Sequence, residues 1–344
     1  MRPVGKSETN ERQMSYDQQT DETQQKIKDT ADLVDKILDE TKKRIVGQPH
    51  VCKRLVMAII AQGHVLLEGL PGLAKTTAIK SLADAAALDF KRIQFTPDLL
   101  PADLVGTQIY DQRTAEFKVK QGPIFAHLVL ADEINRAPAK VQSALLEAME
   151  ERQVTIASKT WELEEPFLVM ATQNPVEQEG TYPLPEAQID RFLFKLVVSY
   201  PSPEEEELII KRAASHQKIE LNKVVTKHQL RDMRSLVDQV YVSDKIRRYI
   251  VDLIYASRKP NDQKLKDLEA LIEYGASPRA SIALDRVARV NAMLEGRTFV
   301  TPQDIKDVGY DILRHRIKPS YEAEAENIDS EQIIHQIFER VDVP

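Results

Sequence analysis

The segment Gly69-Leu70-Pro71-Gly72-Leu73-Ala74-Lys75-Thr76 constrains this chain more than any other. It follows His64-Val65-Leu66-Leu67-Glu68, an apolar run with the length and β-branching of a buried parallel strand. A helical pattern begins at Lys75-Thr76-Thr77-Ala78-Ile79. Strand, glycine-containing loop and helix start, in that order, make a cradle for an anion, because loop N–H groups and the positive helix end face one point. In such a cradle Lys75 reaches the β- and γ-phosphates, and the Thr76 hydroxyl faces magnesium. The expected nucleotide contacts are therefore Gly69, Leu70, Pro71, Gly72, Leu73, Ala74, Lys75, Thr76 and Thr77. Ala74 stands where glycine is usual, and its methyl group is tolerable if φ stays negative. Taken alone, the loop also reads as an ordinary Gly-Pro turn before a helix.

A second feature narrows the choice. Leu128-Val129-Leu130-Ala131 ends in Asp132-Glu133, which fits a buried strand projecting two carboxylates from its C-terminal end. Asp132 would hold magnesium, usually through water. Glu133 would polarise an attacking water as general base. The bland alternative is a pair of helix-capping acids. Loop and acid pair in this order and spacing favour ATP hydrolysis.

The chain has 344 residues, enough for two domains. No apolar run approaches transmembrane length, and the polar N-terminus carries no visible secretory signal. Cys52 is the only cysteine, so an intrachain disulfide is excluded and a reducing cytoplasm is expected. A net charge of −7 argues against a nucleic-acid groove. The seven histidines show no paired metal spacing, so no transition metal is expected.

Residues 1–25 are rich in Gln, Glu, Thr and Asp and are expected as a disordered polar tail. From Gln25 to Lys43 apolar residues recur at helical spacing. Strand candidates near His64–Glu68, Lys91–Thr96, Leu128–Ala131, Phe167–Thr172 and Phe192–Ser199 alternate with helices, which implies a parallel sheet covered on both faces. After Tyr200 only helix signals remain, beginning with Ser202-Pro203 and its run of four glutamates. The expected division is a nucleotide-binding core over 26–200 and a helical domain over 201–344. Two stretches of alternating residues, Gly106–Pro123 and Val154–Leu163, read as hairpins.

Several further segments carry a resemblance. They are Ile45-Val46-Gly47-Gln48, Phe95-Thr96-Pro97-Asp98-Leu99-Leu100-Pro101, Gln121-Gly122-Pro123-Ile124 and Asp132-Glu133-Ile134-Asn135-Arg136-Ala137. Ala171-Thr172-Gln173-Asn174-Pro175, Pro185–Phe192 and Gly275-Ala276-Ser277-Pro278-Arg279-Ala280 complete the series. With the phosphate loop and its Ala74, the chain resembles an AAA+ ATPase of the MoxR family over roughly residues 40–330.

The resemblance implies an α/β fold: an αβα core with a five-stranded parallel sheet, then an all-α lid domain. It implies ATP and Mg2+ as ligands, with Thr76 and Asp132 at the metal. Asn174 matches a first sensor beside the γ-phosphate, although Asn-Pro is also a common turn. Arg191 matches an arginine finger acting across a subunit boundary, or else a surface ion pair with Asp190 or Glu186. Arg279, in the first turn of a helix after Ser277-Pro278, matches a second sensor reaching ATP from the lid. Arg136 is either a second intersubunit arginine or a helix-surface residue. Gly47 and Gln48 would lie near the adenine, with the nucleotide at the core–lid junction. The two hairpins resemble insertions that line a central pore, or they are ribbons that merely pack.

Implied partners are further copies of the chain in a hexameric ring, a von Willebrand factor A-type protein and a protein client. The implied output is chaperone-like remodelling or maturation of a protein complex. Alternatives are a DNA-directed motor, a chelatase-like metal-insertion subunit and a non-hydrolysing scaffold.

Overall fold

A computed structural model describes residues 7–69, 75–174, 180–214, 219–263 and 265–344, with side chains from Asp21 onward. The chain opens with α1 (Ser7–Lys42), α2 (Pro49–Ile60), β1 (Val65–Gly69), α3 (Lys75–Ala85), β2 (Phe90–Gln94) and α4 (Pro101–Val105). Hairpin strands β3 (Gly106–Asp111) and β4 (Glu116–Gln121) precede β5 (Leu128–Asp132) and α5 (Ala139–Glu151). A second hairpin, β6 (Gln153–Ile156) and β7 (Lys159–Glu162), leads to β8 (Leu168–Gln173), α6 (Glu186–Ile189) and β9 (Phe194–Val198). The remainder is α7 (Pro203–Ala214), α8 (Lys227–Val237), α9 (Asp244–Arg258), β10 (Ile272–Tyr274), α10 (Pro278–Leu294), α11 (Pro302–Leu313), β11 (Lys318–Pro319), α12 (Tyr321–Ala325) and α13 (Ser330–Arg340).

The five expected core strands form one parallel sheet in the order β2-β5-β8-β1-β9. Alternate side chains feed two cores, as the pleat requires. Val65 and Leu67 of β1, Leu128 and Leu130 of β5, and Leu168 and Met170 of β8 join α1, α2, α3 and the C-terminal helices. Leu66, Val129, Ala131, Val169 and Ala171 face the other way, onto Leu104 of α4 and Val141, Leu145 and Leu146 of α5. This is the expected αβα sandwich.

Two expectations need correction. The helix expected from Gln25 starts at Ser7, so residues 7–25 are helical rather than a disordered tail. The stretch Ser7–Val46 holds no proline or glycine and many good helix formers, so nothing local stops the helix. Residues 1–6 of that expected tail lie outside the described residues. The C-terminal region is helical but also contains a minimal antiparallel ribbon, β10 with β11. Strands of three and two residues carry too few alternations to register in a sequence pattern.

Lid and core meet through charge. Arg54 of α2 donates to Asp311 of α11 at 2.6 Å, and His50 and Arg314 reach the same carboxylate at 2.9 and 2.6 Å. Burial opposes ionisation of Asp311, but the hydrogen bond from His50 and the charge of Arg54 prevail and carry it to about 2. Arg314 donates to Lys195 O at 2.5 Å, His315 Nε2 sits 3.0 Å from Phe192 O, and Arg316 donates to Phe192 O at 2.6 Å. The lid thereby caps the free backbone at the start of edge strand β9, covering a surface that would otherwise invite strand pairing.

His64 ties the same end of the sheet to α5. Its Nδ1 accepts from Val169 N–H at 3.0 Å, which leaves Nε2–H to donate to Met149 O at 3.0 Å. Burial pushes its pKa down to about 4. The neutral ring is the folded form, so its contribution is complete above the unfolded value of about 6.5 and declines as pH falls toward 4. The shift corresponds to on the order of 3 kcal/mol. Urea unfolding of His64→Gln should therefore show a shallower loss of stability between pH 6.5 and 4 than the parent chain; equal slopes would contradict this role.

Candidate active site

The sheet order sets the chemistry. β8 lies between β5 and β1, so the acid pair, Asn174 and Gly69 lie side by side at the C-terminal ends of three adjacent strands. Leu67 pairs with Thr172 and Glu68 with Gln173, which brings Asn174 level with Gly69. Glycine suits position 69, because a Cβ there would meet Val198 Cβ and Val198 O at a tight 3.0 Å each. Leu70 to Ala74 lie outside the described residues. Lys75 opens α3, followed by Thr76 and Thr77, and its Nζ donates to Gly69 O. Burial pulls the Lys75 pKa below its ordinary value, opposed by the nearby charges of Asp132, Glu133 and Glu68.

Asp132 is held on both oxygens. Thr172 Oγ1 donates to Oδ1 at 2.6 Å, and Arg92 Nη2 and Nε donate to Oδ2 at 2.6 and 3.0 Å. Glu133 takes φ +56°, the left-handed region that non-glycine residues rarely adopt, so the chain turns sharply out of β5. Its N–H donates to Thr172 Oγ1 at 2.9 Å. Its carboxylate accepts from Gln94 at 2.8 Å and Arg136 at 3.2 Å. Arg136 therefore contacts the expected base of its own chain. The donor set fits magnesium: a hydroxyl from Thr76 and a carboxylate from Asp132 are hard oxygen ligands.

Next to this cluster is a cavity of about 430 Å³, lined by Ile45, Val46, Gln48, Thr77, Tyr200 and Ile209 among others. Apolar walls and a glutamine suit a purine ring. Gly47 has φ +69°, and a Cβ there would sit 2.8 Å from the Glu205 carboxyl group, which also lines the cavity. Gln48 lines this cavity, and Gly47 adjoins it through Val46 and Gln48. Its far wall is α7; α10 and α11 take no part in it.

Arg191 and Arg279 lie elsewhere. Arg191 precedes β9, which starts beside Val65, and both arginines line a second cavity with Gln62, Gly63 and His64. That is the N-terminal edge of the sheet, about 13 Å along β1 from Gly69 at the usual rise per residue. Arg279 follows Ser277 in the first turn of α10, as expected, but does not approach Lys75 of its own chain; the lid docking at β9 holds it at the opposite edge. Its partners are Glu150 at 2.5 Å, and Asp190 at 3.8 Å. Arg191 pairs with Glu150 at 3.0 Å, not with Asp190 or Glu186.

Both expected hairpins form. In the first, the rings of Tyr110 and Phe117 pack at a tilt of 57° with centroids 5.2 Å apart, and both are exposed together with Ile109. In the second, Trp161 is half-buried against the α5 core with Lys159 Nζ 4.2 Å from its ring centroid.

Site and fold define a P-loop ATPase of the AAA+ type. Residues 64–194 match the ATPase family associated with various cellular activities (AAA), and residues 266–337 match the AAA lid domain. Chaperone MoxR1 of Mycobacterium tuberculosis is 46% identical over 90% of this chain and 82% of its own length. Protein MoxR of Paracoccus denitrificans is 33% identical over 87% of this chain and 93% of its own. The crystal structure of a protein from Cytophaga hutchinsonii assigned as an ATPase superposes with a TM-score of 0.90 at 48% identity, covering 95% of this chain and 99% of that one. The chain belongs to the MoxR family of AAA+ ATPases.

Sequence reasoning did not single out Thr172, Arg92, Gln94 or Glu150. A buried Thr in an apolar strand, a polar edge strand and a helix-end acidic run are all commonplace. Only the strand order reveals them. Replacing Thr172 by Val keeps shape but removes two hydrogen bonds, one to a charged group, so urea unfolding should show a loss of about 2–4 kcal/mol. Unaltered stability would mean that Thr172 does not tie Asp132 to the Glu133 turn.

Proposed function

We propose that this chain hydrolyses ATP at the C-terminal ends of β1, β5 and β8, and that each site is completed by Arg191 and Arg279 of a neighbouring copy in a hexameric ring. The observation that carries this is the separation: Lys75, Asp132 and Glu133 gather at one edge of the sheet, and the two arginines converge at the other. A single chain cannot bring both sets to one phosphate, whereas head-to-tail contact of identical chains can, and it closes into a ring if the rotation allows.

In this reading the Lys75 ammonium grips the β- and γ-phosphates. Thr76 and Asp132 hold magnesium, which supplies Lewis-acid neutralisation of the phosphate oxygens. Glu133 orients and polarises the attacking water once its carboxylate leaves Gln94 and Arg136. Asn174 offers a polar contact beside the γ-phosphate. The neighbour's Arg191 and Arg279 neutralise charge as the phosphoryl group transfers.

The output we infer is remodelling or maturation of protein complexes in the cytoplasm, together with a von Willebrand factor A-type partner. The name of the M. tuberculosis relative, a chaperone, supports it. So does the first hairpin, whose exposed Ile109, Tyr110 and Phe117 offer an apolar grip on a polypeptide. The net charge of −7 weighs against a DNA track.

Lys75→Ala should lose ATP binding and turnover together, whereas Glu133→Gln should keep binding and lose turnover; near-parent turnover in Glu133→Gln would remove it as the base. Arg191→Ala and Arg279→Ala should each bind ATP and lose turnover, on the order of 10³-fold for a finger. Mixing either with Glu133→Gln protein should restore activity, because a mixed ring holds junctions where an intact Glu133 site faces both arginines. If the mixed assembly is shown by mass and no activity returns, the arginines do not act in trans.

A further inference from the structure

Arg191 and Arg279 sit on different elements, one before β9 and one at the start of α10, yet they end on a single side chain. Arg191 Nη2 is 3.0 Å from Glu150 Oε2, and Arg279 Nη2 is 2.5 Å from Glu150 Oε1. One carboxylate thus holds two guanidiniums, one on each oxygen, at the end of α5. The surrounding cavity, about 250 Å³, is lined by Arg152, Arg191, Arg279, Arg286 and Arg316 against only Glu150 and Asp190. Asp190 is already engaged by Arg316 at 2.7 Å and by Ser277 at 2.8 Å. Arg191 Nε is buried and meets no acceptor among the described residues. Arg152 is met by Glu165 at 3.0 Å beyond the lining, yet the pocket still holds more arginines than carboxylates and a spare donor, and Glu150 is the one anion shared by the arginine pair.

We propose that Glu150 is an internal substitute for the neighbour's phosphate: it holds Arg191 and Arg279 together within the chain and competes with the phosphoryl group they serve across the subunit boundary. This rests on the trans-acting reading of the two arginines. The physical basis is charge. Two guanidiniums aimed at one point repel, and a carboxylate between them offsets that repulsion. A polyphosphate arriving from a neighbour offers more charge and more acceptor oxygens, so the arginines transfer to it, and the negative Glu150 opposes its approach. Glu150 is a positioning residue with a cost: it keeps the pair converged and weakens the junction.

The sign of one substitution tests this. In full-length protein carrying Glu133→Gln, so that ATP persists, sedimentation velocity over a concentration series with MgATP gives the half-assembly concentration. Adding Glu150→Gln, close in shape but uncharged, should lower that concentration by about fivefold, the scale of a partly exposed ion pair converted to a concentration ratio. Glu150→Ala should shift it the same way. An ion pair with a merely structural role predicts the reverse, because freed arginines would make a looser junction. Arg191→Ala and Arg279→Ala on the same background separate the two layers of the argument. If both leave ATP-dependent assembly unchanged, the trans reading fails and the proposal with it. If they weaken assembly while both Glu150 variants assemble like their parent or more weakly, the trans reading stands and competition by Glu150 is wrong.

Discussion

The position of Asp190 decides how this molecule can work. Its carboxylate accepts from Arg316 at 2.7 Å and from Ser277 at 2.8 Å, and Arg316 also donates to Asp190 O at 2.9 Å. Burial pulls the Arg316 guanidinium below its ordinary pKa and the hydrogen bond to Asp190 opposes that, so the pair is held by mutual need. Removing either partner would strand a buried charge. Because Ser277 caps α10, this one junction fixes where Arg279 points. The lid is locked onto the start of β9, and Arg279 is held with Glu150 at the edge of the sheet opposite Lys75.

That constraint propagates. A lid clamped at the N-terminal edge of the sheet leaves the purine-sized cavity to be walled by α7 and the Ile45–Gln48 turn instead. Glu205, Ile209 and Arg212 of α7, with Tyr200, line that cavity. Each chain carries an acid-and-lysine half-site on one edge and an arginine half-site on the other. Heterologous contact between copies, as proposed above, is the arrangement that would join them.

Much of the fold was legible in the sequence, and the reasons are local. Five strands were found within one or two residues of their limits because each is an apolar run bounded by turn residues. Lys75, Asp132 and Glu133 could be named because their roles depend on strand–loop–helix order along the chain. Asn174 was placed correctly by the strand before it. Arg279 was found in the right turn of the right helix, but its contacts with Glu150 and Asp190 were not foreseen. Its spacing from Ser277-Pro278 specifies the helix start, whereas the docking of that helix depends on Arg314, His315 and Arg316 meeting backbone oxygens over 100 residues away in sequence. Thr172, Arg92 and Gln94 escaped for the related reason that their partner, the Asp132–Glu133 pair, is a neighbour only once β5 lies between β2 and β8.

At both edges of the sheet, the groups suited to a nucleotide already have partners within the chain. Lys75 donates to Gly69 O, Arg92 neutralises Asp132, Gln94 and Arg136 hold Glu133, and Glu150 holds two arginines. Such pairing keeps strongly charged groups from standing unsatisfied in half-buried positions, where desolvation would be costly. It also means that ligand binding is an exchange of partners rather than a capture by free charges. The net gain of each exchange is the difference between two hydrogen-bonded states, which is small for any one group. Only an event that replaces several at once, at both edges, yields a large free-energy change. The ring junction we propose would do this, because ATP there would draw Lys75 and Asp132 from one copy and Arg191 and Arg279 from the next toward the same phosphates. In that proposal, cooperation between nucleotide and neighbour follows from the way each chain satisfies its own charges.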